Sequence, residues 1–126
     1  MHKGSCLCGA VQITIAGELA PPNACHCSQC RKQSGHFWAS TDLPMDRVTI
    51  RGEANVTWFN ASEIATRGFC RSCGSFLFWK RHGRGEIAVA MGAIDSPTGT
   101  QLSGHIFSAD KGDYYDIADG LPKSET

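Results

Sequence analysis

The sequence predicts a mainly β domain organised around metal, and three observations carry that prediction. Short runs rich in β-branched and aromatic residues recur between turn formers. No long stretch carries helical periodicity. Seven cysteines fall in three tight clusters, Cys6-x-Cys8, Cys25-x-Cys27-x-x-Cys30 and Cys70-x-x-Cys73. Because the connections between the runs are too short for helical crossovers, the strands are expected to pair antiparallel. At 126 residues the chain reads as one domain with a single modest core, which a metal clip would help to hold.

Taken in order, Val11-Gln12-Ile13-Thr14-Ile15 alternates apolar and polar residues, as a half-buried strand does, and Gly17 with Pro21-Pro22 ends it. Ser28 to Gln33 is expected to form a helical turn. Phe37–Thr41, Val48–Arg51, Val56–Phe59, Ala65–Phe69, Phe76–Lys80 and Glu86–Met91 are further strand expectations. Trp38, Trp58 and Trp79 lie in these runs and read as core. No patterned run follows Gly120, and residues 123–126 are expected to be a loose C-terminal tail.

Cysteine spacing points to metal before disulfide. Thiolates two or three residues apart can face one ion from a single turn, whereas a disulfide needs partners far enough apart to close a relaxed loop. Gly9 follows Cys8 and Gly74 follows Cys73, which suits two metal knuckles, since glycine supplies the positive φ that turns backbone N–H groups toward sulfur. Four plus three is the natural division of seven. Cys25, Cys27 and Cys30 can cap one ion unaided, while the pairs Cys6/Cys8 and Cys70/Cys73 complete a four-thiolate site only by joining. Closing that loop costs on the order of 4 kcal/mol of chain entropy, which metal binding can supply. Spacing alone still permits a mixed pairing such as Cys6/Cys8 with Cys25/Cys27.

A four-thiolate zinc is structural, and a three-thiolate zinc keeps a position open. His36, six residues beyond Cys30, is the candidate to fill that position or to accept a proton beside it, ahead of His26, whose place between two ligands turns it away. His82 and His105 show no ligand spacing. Three anionic sulfurs make zinc a weak Lewis acid, better suited to holding an incoming thiol as thiolate than to activating water. Arg31, Lys32, Arg67 and Arg71 flank the clusters and are candidates to offset thiolate charge or hold substrate carboxylates; as ordinary surface charges they need no further role.

Charge and composition narrow the partners. Lys plus Arg equals Asp plus Glu at 12 each, which gives no general attraction to a phosphate backbone, and no run reaches the length of a membrane span. Met1 to Ser5 shows no apolar signal region, and an odd number of clustered cysteines points to a reducing compartment, so a cytoplasmic protein is expected. Methionine sulfoxide reduction needs a free attacking cysteine besides the metal ligands, and none follows Cys73.

Three segments, Gly4-Ser5-Cys6-Leu7-Cys8-Gly9-Ala10-Val11, Cys25-His26-Cys27-Ser28-Gln29-Cys30-Arg31-Lys32 and Arg67 to Ser75, resemble the glutathione-dependent formaldehyde-activating enzyme family, also called CENP-V/GFA. His105-Ile106-Phe107, Asp113 to Ile117 and Leu121-Pro122 resemble its closing segment. The resemblance implies a single domain over residues 3–122 with an Mss4-like fold of several curled antiparallel sheets stapled by zinc. It also implies two zincs per chain, a structural one on Cys6, Cys8, Cys70 and Cys73 and a labile, partly occupied catalytic one on Cys25, Cys27 and Cys30. The implied activity is formation or cleavage of the C–S bond of S-(hydroxymethyl)glutathione, with glutathione or a similar thiol and a small aldehyde as partners. A non-enzymatic zinc module binding a protein is the alternative, with a side chain such as His36 completing the trio.

Overall fold

The computed structural model describes residues Met1–Thr126 as ten strands and one short helix: β1 (His2–Ser5), β2 (Gln12–Ile15), β3 (Asn23–Cys25), α1 (Ser28–Ser34), β4 (Trp38–Pro44), β5 (Val48–Arg51), β6 (Val56–Asn60), β7 (Ala65–Cys70), β8 (Phe76–Arg81), β9 (Glu86–Ala90) and β10 (Gly104–Ile106). Strands β1, β2 and β5 form a small sheet in that order. The other seven form a large sheet in the order β10-β3-β4-β9-β8-β7-β6. No helix is long and apolar enough to cross a membrane.

Strand alternation gives the two faces of the large sheet different duties. Directly opposed residues share a face, so the register pairs run Thr41, Val89, Phe78, Gly68 and Trp58 along one row. Thr41, Val89 and Phe78 in that row are fully buried, and Val89 and Phe78 pack in the main core with Ile13 and Ile15 of the small sheet. Gly68 is required there: a Cβ would stand 2.6 Å from the Trp58 ring, which lies across the glycine to reach Phe78 at 5.7 Å between centroids. The neighbouring row, Asp42, Ala88, Trp79, Arg67 and Phe59, faces the opposite way. On that face a second cluster forms from Cys25, Cys30, Trp38, Phe76, Ala88 and Ala90. A register shift at Gly68/Phe69 lets Phe76 join this cluster while Leu77 stays with the main core.

The mainly β expectation holds, with particular corrections. The antiparallel rule fails once: β10 pairs parallel with β3, because the irregular stretch 94–103 after β9 carries the chain across the sheet to the free edge of β3. Strands β1, β3 and β10, of four, three and three residues, are too short to show a periodicity. Of the three tryptophans, Trp38 is buried, whereas Trp58 and Trp79 are only partly so. The tail expected to be loose is hydrogen-bonded: Ser124 N–H donates to His105 at 2.9 Å and receives Ser108 N–H on its carbonyl at 3.0 Å. The unpaired edge of β10 explains this, because a three-residue strand at a sheet margin leaves N–H and C=O groups for whatever chain passes next.

Candidate metal centres and the trio pocket

All seven cysteines are free, and their sulfurs gather into two groups, each with every Sγ within 4.8 Å of the others: Cys6, Cys8, Cys70 and Cys73, and Cys25, Cys27 and Cys30. The mixed pairing that spacing left open is absent from this geometry.

Two tight turns build the quartet. After β1, Gly9 N–H donates to the Cys6 carbonyl and Cys6 N–H to the Val11 carbonyl; after β7, Gly74 N–H donates to the Cys70 carbonyl and Cys70 N–H to the Ser75 carbonyl. Gly9 and Gly74 both have φ of 81°, a conformation that side-chain-bearing residues rarely adopt. Sulfur separations are 3.6 Å for Cys6–Cys8 and 3.7 Å for Cys8–Cys70, close to the edge of about 3.8 Å that a tetrahedron of sulfurs at zinc–sulfur distance has. Donors point at the sulfurs: Val11 N–H reaches Cys6 at 3.3 Å and Asn55 Nδ2 reaches Cys70 at 3.2 Å. The hydroxyl and backbone N–H of Ser75, with Cys8 N–H, hold the Cys73 thiol down at about 5. This is a donor set for a closed tetrahedral ion. Asn55 was not visible from sequence, because nothing marks an asparagine in a turn between strands as facing a thiol.

The trio sits on the other face of the large sheet. Cys25 ends β3 beside Trp38 and Ile106, and Cys27 caps α1, its sulfur accepting Cys30 N–H at 3.3 Å. Gly35, at φ 89°, closes the helix. Arg67, 4% exposed, reaches across from β7 and places Nη1 and Nη2 each 3.6 Å from Cys30 Sγ, with Nη2 at 4.0 Å from Cys27 Sγ. A buried guanidinium requires an anion, and the thiolates are the anions within its reach. Cys27 is accordingly the acidic thiol, drawn down to about 2 by its sulfur neighbours Cys25 and Cys30, then by Cys30 N–H and Arg67. Cys25 moves the other way, raised by sharing hydrogen bonds with Cys27 and Cys30 and by burial. Three thiolates and a divalent ion leave one negative charge, which Arg67 neutralises, so the donor set and its surroundings fit a bound zinc.

Other flanking residues separate on inspection. Arg31 Nε is taken up by the backbone carbonyls of His26 and Asp110, Arg71 Nε bonds Asn55 Oδ1 at 3.1 Å, and Lys32 is exposed. His36 is not among the groups gathered with the trio; its Nδ1 pairs with Tyr114 Oη at 2.7 Å, because Tyr114 meets it at the surface. His26 does turn away from the sulfurs, into a buried chain. Its Nδ1 meets Tyr115 Oη at 2.7 Å, its Nε2 meets His105 Nδ1 at 2.8 Å, and His105 Nε2 reaches Asp119 at 2.7 Å. Protons fit in one direction only when both rings are neutral: Tyr115 donates to His26, His26 to His105, and His105 to the carboxylate. Burial and then His105 lower the His26 pKa, in keeping with that state. His105, read from spacing as unremarkable, is 5% exposed and central to this chain.

Above the trio lies a cavity of about 420 Å³, within the size of small-molecule sites. The three cysteines, Trp38, Trp79 and Arg67 line it, and exposed Ile64 and Phe107 stand at its rim.

A family model described as glutathione-dependent formaldehyde-activating enzyme matches residues 1–110. An uncharacterized lyase of Schizosaccharomyces pombe is 25% identical over 93% of this chain and 85% of its own length. A Fusarium vanettenii protein named "Putative glutathione-dependent formaldehyde-activating enzyme" is 30% identical over 60% of this chain, but the match spans only 43% of that protein. A crystal structure of a Rhodobacter sphaeroides protein superposes with a TM-score of 0.62 at 25% identity, covering 96% of this chain and 98% of that one.

Proposed function

The chain belongs to the glutathione-dependent formaldehyde-activating enzyme family, and from that premise we propose that it is a zinc-dependent carbon–sulfur lyase. Its substrate would be the adduct of a small thiol, glutathione or a similar one, with formaldehyde or another small aldehyde. The observation that supports this reading most is the cysteine trio on the wall of a cavity of about 420 Å³, with a buried arginine supplying charge balance.

Cys25, Cys27 and Cys30 would hold the catalytic zinc, and Cys6, Cys8, Cys70 and Cys73 a structural one. Zinc at the trio would supply a positive centre that keeps an incoming thiol deprotonated near neutral pH. The protein's own residues do the rest. Arg67 offsets thiolate charge from beneath, so that the site tolerates one more anionic sulfur. Trp38 and Trp79 exclude water from the reacting pair, which raises the reactivity of a thiolate toward a carbonyl carbon. In the synthetic direction the substrate sulfur bonds to the aldehyde carbon, and the carbonyl oxygen takes a proton from solvent at the open mouth. Cleavage reverses both changes.

A purely scaffolding zinc needs an endogenous fourth ligand, and His36, the candidate for it, is engaged with Tyr114. The test is exchange NMR of formaldehyde with its hydroxymethyl thioethers, run over a panel of thiols that includes glutathione. Protein should accelerate exchange for at least one thiol, and Cys27→Ser should abolish it. Rates unchanged by protein across the panel would refute the reading.

A further inference from the structure

The two Cys-x-Cys turns treat their middle residue in opposite ways. Leu7, between Cys6 and Cys8, is 88% exposed and engages one partner, the Ser75 hydroxyl, through its N–H at 3.1 Å. His26, between Cys25 and Cys27, is 1% exposed and has all four of its polar atoms engaged. Its N–H donates to the Ile106 carbonyl at 3.1 Å, its carbonyl accepts Arg31 Nε at 3.3 Å, its Nδ1 accepts the Tyr115 hydroxyl, and its Nε2 donates to His105 Nδ1. Three of the four partners, His105, Ile106 and Tyr115, belong to one segment that begins at β10. The fourth is tied to that segment as well, since Arg31 Nε also reaches the Asp110 carbonyl at 3.1 Å.

The number of ligands explains the contrast. Four thiolates on one ion fix one another, because the metal closes the tetrahedron and the turn that carries them needs little further support. Three thiolates leave one vertex without a protein ligand, so their spacing has to be set by the chain that carries them. Cys25 and Cys27 lie on either side of His26, and turning the backbone at that residue changes the separation of their sulfurs directly. Held at the peptide groups before and after it and at both ring nitrogens, His26 cannot turn without breaking buried hydrogen bonds.

Resting on the trio as a zinc site, and on no particular chemistry there, we propose that His26, His105 and Tyr115 are positioning residues for the trio. They hold Cys25 and Cys27 at the separation required by an ion with one open vertex, and they touch neither the ion nor the substrate. Asp119 acts one step further out. By accepting the His105 Nε2 proton at 2.7 Å it fixes the tautomer, which leaves Nδ1 free to accept from His26.

The test uses His105→Leu, which removes the acceptor, and His105→Asn, whose side-chain oxygen can take the place of Nδ1 and accept the same proton. Tyr115→Phe removes the other ring anchor at a half-buried position, and it carries the test should His105→Leu fail to fold. One equivalent of zinc fills the closed quartet first, and cobalt(II) added next reports the trio through its ligand-field and thiolate charge-transfer bands. His105→Leu should bind that cobalt about ten- to a hundredfold more weakly than the unaltered protein and shift its ligand-field bands. Tyr115→Phe should weaken it about fivefold, the worth of one net hydrogen bond, and His105→Asn should recover most of the affinity and the original bands. A lower thermal midpoint with cobalt affinity and spectrum unmoved would show a merely structural network and overturn the proposal, as would His105→Asn as impaired as His105→Leu. No cobalt uptake by the unaltered protein would remove the trio as a metal site and the proposal with it. The expected cobalt results without accelerated thiol–aldehyde exchange would uphold the positioning role and remove only the carbon–sulfur reading.

Discussion

Arg67 presents two guanidinium nitrogens to the Cys30 sulfur at 3.6 Å each, while its buried Nε has no partner. An arginine left partly unsatisfied inside a protein stays there only if its charge is needed, and the trio supplies the need. Arg67→Met keeps the length and removes the charge. Chelator competition should then show the trio's zinc held about ten- to a hundredfold more weakly, the usual cost of losing an outer-sphere partner, with the quartet ion unchanged. Two ions of unaltered affinity would contradict the role given to Arg67.

Gly68 follows Arg67 and faces the opposite side of the sheet, beneath the Trp58 ring. A methyl there meets three ring carbons at 2.6–3.0 Å, and the ring is pinned on its outer side by Lys80 Nζ at 3.8 Å from its centroid. Gly68→Ala should therefore cost about 1–3 kcal/mol by overpacking, read as a lower urea midpoint at constant slope. Gly85, with open space around it, is the control, and its alanine variant should stay within about 0.5 kcal/mol.

What the sequence could and could not reveal follows from the range of each interaction. The trio was legible because its three sulfurs lie within one turn of chain. The pairing of Cys6/Cys8 with Cys70/Cys73 was legible only as the better of two arrangements, since it spans most of the fold. Arg67 stood among four flanking cations able to offset thiolate charge and could not be singled out from Arg31, Lys32 and Arg71, because its burial depends on β7 pairing with β8 in a register that sets it beside Trp79. His26, His105 and Asp119 carry no spacing signature; they meet because β10 docks parallel on β3, a pairing set by tertiary contacts rather than local pattern. Strand length explains that miss as well, since three residues cannot display an alternation.

Asp119 provides a pH dependence of known sign. Leu121 N–H, and then His105, hold its carboxyl below the ordinary value. A carboxylate with a depressed folded pKa adds stability above its unfolded pKa of about 3.9 and loses it as pH falls through the lower folded value. The contribution belongs to the C-terminal segment, which Asp119 ties to β10. Hydrogen-exchange protection at His105 and Ser124 should fall below about pH 4 while the β8 and β9 amides stay protected. Asp119→Asn should show the weakened protection already at neutral pH, with the acid step gone.

The two cysteine groups, taken as the proposed structural and catalytic zinc sites, predict opposite outcomes for replacement of cysteine by serine. Cys6 and Cys70 are buried in the main core, and their site joins the end of the small sheet's β1 to the end of the large sheet's β7. Structural zinc contributes about 10–16 kcal/mol to folding in small domains, as much as the whole stability of a chain this size. Cys70→Ser should therefore remove the cooperative thermal transition. Cys27 lies at the wall of a cavity and caps a seven-residue helix that already has Gly35 at its other end. Cys27→Ser keeps a side-chain oxygen able to accept Cys30 N–H, so the transition should survive with a midpoint shift of at most about 4–8 °C, the size of a 1 kcal/mol change. Circular dichroism melts with metal analysis on both variants decide the matter. One zinc and a sharp melt are expected for Cys27→Ser, none and no transition for Cys70→Ser, and the reverse order would exchange the duties assigned to the two sites.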